Sequence, residues 1–92
     1  MFGILFPLGQ TVMTPGAQEA LQRAEQLPLI FLACHACGDW GDLDAEDKQA
    51  NDAALKDGTR IFSAYHTVLG DKLWVITEAD RSATTILLPS EY

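Results

Sequence analysis

The chain has 92 residues, 48% of them apolar and 21% charged, which gives one domain with a modest core and excludes a largely disordered chain. Thirteen acids against six lysines and arginines leave a net charge of −7, which excludes nucleic-acid binding through a basic stripe and disfavours a membrane surface. Two cysteines three positions apart are no disulfide framework, Leu27 to Ala36 is too short to span a bilayer, and Met1 to Leu8 lacks the positive start of a secretion leader; a cytoplasmic protein is expected.

Leu5 to Met13 reads as a strand ended by Thr14-Pro15-Gly16. Thr14 suits a helix N-cap and Pro15 the first helical position, where a missing N–H costs nothing. Ala17, Ala20, Leu21 and Ala24 then recur at helical spacing and mark one buried face, with an end near Leu27-Pro28. Pro28 can open a second helix, Leu29 to Cys37, closed by Gly38; it is apolar nearly all round and is expected to be the most buried. A third helix follows Asp44, with Asp47 three residues on and Gly58 as its stop. Leu43, Ala50 and Ala54 form its expected inner stripe, with Ala53 beside it.

Beyond Gly58 the apolar period changes from 3.6 to 2. Arg60 to Leu69 and Lys72 to Glu78 read as strands joined by a two-residue turn at Gly70-Asp71, and Ala83 to Leu88 as a third strand stopped by Pro89. The order β-α-α-α-β-β-β predicts a single α+β domain over residues 1–92. Its antiparallel sheet comprises the N-terminal strand and a C-terminal meander, covered on one face by helices.

Charge is unevenly spread. Seven acids and only Lys48 and Lys56 lie between Asp39 and Asp57, so this stretch carries −5 of the −7. Asp44, Lys48, Asp52 and Lys56 could form a self-neutralising ridge at i, i+4 spacing, and Asp44, Glu46 and Asp47 suit the first turn of a helix dipole. Asp39, Asp42 and Asp57 remain, with Glu46 serving either purpose. They read either as ordinary solvated surface or as a patch set to meet a basic partner. Trp40, between two Gly-Asp pairs, is either a packing anchor for its loop or a partly exposed binding residue. Trp74 alternates within a strand and reads as packing.

Cys34-His35-Ala36-Cys37 has redox spacing, but such a site needs a helix after the first cysteine, and Gly38 to Gly41 breaks any helix there. Zinc held by Cys34, Cys37 and His35 or His66 lacks a second paired motif. His35 reads as a helix C-terminal residue favoured by the dipole when protonated, and His66 as solvent-facing. Ser63, Ser82 and Ser90 show no nucleophile-elbow context or evident histidine partner, and no glycine-rich phosphate loop appears.

The run Trp74-Val75-Ile76-Thr77-Glu78-Ala79-Asp80-Arg81-Ser82-Ala83-Thr84-Thr85-Ile86-Leu87-Leu88-Pro89 is the most specific segment. With Thr14 to Ala17, Gly38 to Leu43, Glu46-Asp47 and Asn51, it resembles small proteins of bacterial plasmids and integrative elements, some labelled restriction-modification related. The likeness covers residues 8–92. Members tend to carry other residues where Cys34 and Cys37 stand, and no functional residues carry over. The chain is far too small for a methyltransferase subunit and has no cofactor loop, so that label is set aside.

The resemblance implies a mobile-element protein, and such elements use small acidic proteins against host defence, anti-CRISPR proteins among them. The expectation is a non-catalytic, DNA-mimicking inhibitor without metal or cofactor. Asp39, Asp42, Glu46 and Asp57 would enter a basic groove on a protein subunit of a CRISPR-Cas or other nucleic-acid-binding defence complex, with Trp40 as anchor. The alternatives are a thiol-redox or metal-linked accessory enzyme using Cys34 and Cys37, or a mobile-element regulatory binding protein.

Overall fold

In the computed structural model, which describes residues 3–92, helix α1 spans Pro15–Ala24. Met1 and Phe2 of the apolar N-terminal stretch lie outside the described residues. The Thr14 hydroxyl accepts from Ala17 N at 3.3 Å, Pro15 fills the first turn, and the face of Ala17, Ala20, Leu21 and Ala24 is buried, as their spacing predicts. The helix ends a few residues before the expected stop, with Glu25 in the left-handed conformation.

Helix α2, Pro28–Ala36, buries only Phe31, Leu32, His35 and Ala36, while Leu29 and Ile30 are exposed. The expectation that it is the most buried helix holds, four of its nine residues being buried, a larger share than in either other helix, but it is not buried all round, for a geometric reason. In a two-layer fold a helix has one face on the sheet, and an apolar run without polar punctuation does not reveal which. Gly38, at φ +86°, ends α2 in a Schellman arrangement: Gly38 N donates to His35 O and Asp39 N to Cys34 O.

Helix α3 spans Ala45–Asp57, with the Asp44 carboxylate accepting from Asp47 N and Gly58 as its left-handed C-cap. Its buried positions are Asn51 and Ala54, flanked by partly buried Leu43 and Leu55. Ala50 and Ala53 face solvent, which corrects the expected inner stripe: the true inner row includes a polar residue that hydrophobic counting passes over.

The strands are β1 Gln10–Met13, β2 Ile61–His66, β3 Lys72–Thr77 and β4 Ala83–Leu87, in the sheet order β1-β4-β3-β2. β2, β3 and β4 form the expected antiparallel meander. β1 pairs with β4 in parallel, so the sheet is mixed rather than wholly antiparallel. Three helices return the chain to the far edge, and the meander then reverses direction twice before reaching β1. β1 is also shorter than expected, because Leu5 to Gly9 leave the sheet: Leu5 N bonds to Ala36 O and Phe6 is buried.

The β2–β3 connection is likewise longer than the expected two-residue turn. Thr67 N donates to Asp71 O and Gly70 N to Thr67 O, enclosing Val68-Leu69-Gly70 in a three-residue loop with Gly70 at φ +92°. The helices cover one sheet face, where Leu21, Phe31, Leu73, Val75 and Ile86 form the main core. Phe6, Trp40, Ala54 and Ile61 form a second cluster beneath α3. On the other face Trp74 stacks edge-on against Phe62 and Tyr92. No helix among the described residues is long and apolar enough to cross a membrane.

Candidate functional site

The acidic stretch is fastened along the β2 edge of the sheet. An edge strand presents unpaired backbone groups, which in β2 are those of Phe62 and Ala64, facing away from β3. Ala64 N donates to Trp40 O at 3.3 Å and Asp42 N donates to Ala64 O at 2.7 Å, forming a single parallel bridge at Gly41. A Cβ on Gly41 would come 2.0 Å from Ala64 O, and its φ is +74°, so only glycine allows this approach. Ten residues further on, within α3, Asn51 Nδ2 donates to Phe62 O at 2.5 Å and Phe62 N donates to Asn51 Oδ1 at 3.1 Å. The amide reproduces the pairing of a missing strand.

With its backbone and Asn51 turned inward, the stretch presents its carboxylates outward. Asp39, Asp42, Asp44, Glu46, Asp47, Asp52 and Asp57 are all exposed. Asp42 Oδ2 lies 2.6 Å from His66 Nδ1, and none of the seven pairs with a lysine or arginine among the described residues. Asp39 accepts from Gly41 N, Asp44 from Asp47 N, and Asp52 from the Trp40 indole. The expected Asp44-Lys48-Asp52-Lys56 ridge therefore forms no direct ion pairs among the described residues. Glu46 and Asp57 are separated by eleven residues, which places them on one stripe of α3 roughly 16 Å apart.

Trp40 does not belong to that surface. It is 4% exposed, packs against Phe6 and His35, and donates its indole N–H to Asp52 at 3.2 Å. This corrects its assignment as a partner-facing anchor: it holds the 39–42 loop on the core. Phe6 supplies the apolar wall that draws the indole inward.

His35 is also placed differently from the sequence expectation. It is fully buried, with Nδ1 2.5 Å from Ser63 Oγ and Nε2 2.9 Å from Thr77 Oγ1. The chain continues from Thr77 to Thr84 at 2.7 Å, and Thr84 Oγ1 donates to Leu8 O at 2.7 Å. That last bond fixes every proton behind it. Thr84 has spent its hydrogen on Leu8 O, so Thr77 donates to Thr84 and must accept from His35 Nε2–H. Neutral Nδ1 then accepts from Ser63. Burial, followed by the charge of Arg81, lowers the His35 pKa to about 4, so the ring is neutral rather than a charged helix end. Ser63 thus has a histidine partner that the sequence did not disclose. Neither residue is accessible to a substrate, and the network ties α2 to the sheet.

Cys34 and Cys37 are free and partly exposed. Burial first, then the charges of Asp39 and Cys37, push the Cys34 thiol up, opposite to an activated redox nucleophile. Among the described residues no three His, Cys, Asp or Glu side chains converge in a way that could hold a metal ion. Comparison with family models, curated proteins and solved structures gave no match. Two features escaped sequence reasoning: the His35 network and the Asn51 clamp. For Asn51 the available signal was its position on the row of Ala54 and Leu55.

Proposed function

We propose that the face formed by Asp39, Asp42, Glu46 and Asp57 docks on a basic, nucleic-acid-binding surface of a bacterial defence complex. The chain then acts as a stoichiometric inhibitor without catalysis. The observation that carries this reading is the exposure of all seven acids of the stretch, none of them paired with a lysine or arginine among the described residues. Carboxylates held outward on a helix and a pinned loop can take the place of phosphates without much ordering cost on binding. Trp40 serves the reading indirectly, by fixing the loop that carries Asp39 and Asp42. The resemblance to mobile-element proteins supplies the choice of a defence complex, CRISPR effectors included, over other basic partners.

The test is co-purification of the tagged chain from bacteria expressing CRISPR effector complexes, eluted at low and moderate salt. Effector subunits that co-elute at low salt and are lost at moderate salt support charge-led binding. Absence of co-elution across several effector types would remove the CRISPR assignment.

A further inference from the structure

We propose that Cys34 and Cys37 form a thiol–disulfide exchange site that takes a small-molecule disulfide of the glutathione class and closes into an intramolecular disulfide. The two thiols line one groove of about 320 Å³ with Ala33 and Asp39, open to solvent and separate from the buried histidine network. They occupy positions i and i+3 at the end of α2, on the same side of the helix. Helix geometry places their Cα atoms about 5 Å apart, inside the roughly 4.4–6.8 Å that a disulfide spans. The Schellman bonds from Gly38 N and Asp39 N hold the last turn, so Cys37 keeps that spacing although it lies just past the helix.

The chemistry balances with one oxidant molecule. The Cys37 thiolate attacks one sulfur of the small disulfide, forming a mixed disulfide and releasing a thiolate. Cys34 then gives its proton to solvent beside the Asp39 carboxylate, which lines the same groove, and attacks Cys37 Sγ. A second small thiolate leaves, and the two protons lost by the cysteines complete two small-molecule thiols. The protein is oxidised by two electrons and the small disulfide reduced by two.

Oxidising redox catalysts stabilise the reduced thiolate, which makes their disulfides strong oxidants. Here burial and the Asp39 charge oppose the Cys34 thiolate, and the helix C-terminus adds negative potential. With no stabilised thiolate favouring the reduced form, the disulfide lacks that oxidising character and, once formed, locks the turn that leads into the acidic loop. This separates the proposal from a turnover enzyme.

The test uses the reduced full-length chain exposed to glutathione disulfide, followed by acid quench, alkylation and intact mass measurement. The expected product has lost two hydrogens and both alkylatable thiols, retains no glutathione, and persists in equal concentrations of reduced and oxidised glutathione. In Cys34→Ser the mixed disulfide on Cys37 should accumulate to about tenfold its wild-type level, because the resolving thiol is gone. Circular dichroism on each species shows that the fold is kept. A wild-type chain that carries stable glutathione adducts, forms disulfide-linked dimers or does not react would overturn the proposal, whatever the variants do.

Discussion

At the scale of single residues, His35 and Trp40 carry the account. His35 is neutral because its hydrogen bonds and burial leave no place for a second proton, which makes stability depend on pH in a definite direction. Above about pH 6.5 the ring is neutral in both folded and unfolded chains. Between there and about pH 4 the unfolded chain binds a proton that the folded chain refuses, so stability falls as pH drops. The loss reaches on the order of 3 kcal/mol by pH 4. Urea unfolding at closely spaced pH values should show this slope, and His35→Gln should flatten it relative to wild type while the slope from surface carboxylates remains. Equal slopes in the two proteins would remove His35 as the cause. Trp40→Ala should destabilise by about 3–5 kcal/mol through the cavity left between Phe6 and His35. Trp40→Phe keeps most of the packing, so thermal unfolding should show a smaller loss with partner binding retained. A binding defect in a folded Trp40→Phe protein would restore the tryptophan to the interface.

At the scale of elements, the acidic segment is held by what it does for β2. Asn51→Ala leaves Phe62 N and O without partners and should cost about 2 kcal/mol, read as a lower urea midpoint with an unchanged slope. Faster amide exchange in β2, with β4 unaffected, is the accompanying signature of an opened edge. The element order and the caps at Thr14, Asp44 and Gly58 were legible because each rests on local chemistry: a hydroxyl or carboxylate three residues before an N–H, or a glycine free to turn left. The parallel pairing of β1 was not legible, since nothing near Gln10 to Met13 encodes a partner more than seventy residues away. The depth of α2 was legible but its inner face was not, because Leu29 and Ile30 are as apolar as Phe31 and Leu32. Their difference comes only from the sheet beneath. Asn51 shows the same limit, because an asparagine inside a helix is read as solvated until the strand edge that it completes is seen.

At the scale of the whole molecule, net charge and its placement frame the proposed function. The stretch from Asp39 to Asp57 was legible as acidic from composition, and its outward presentation follows from the edge-sealing bonds at Gly41 and Asn51. Trp40, grouped with it by sequence proximity, turned inward because Phe6 and His35 offer it an apolar pocket. Binding led by such a face should depend steeply on ionic strength and weakly on apolar contact. Glu46 and Asp57 are the residues on which to measure this, since neither makes a side-chain hydrogen bond or ion pair among the described residues and their replacement spares the loop. The most direct measurement is the affinity of wild type and of Glu46→Lys/Asp57→Lys for a captured effector subunit, titrated at two salt concentrations with the fold checked by circular dichroism. Binding led by the acidic face gives at least about tenfold weaker binding for the double variant and a smaller salt dependence than wild type. Equal affinity and equal salt dependence in the two proteins would contradict it.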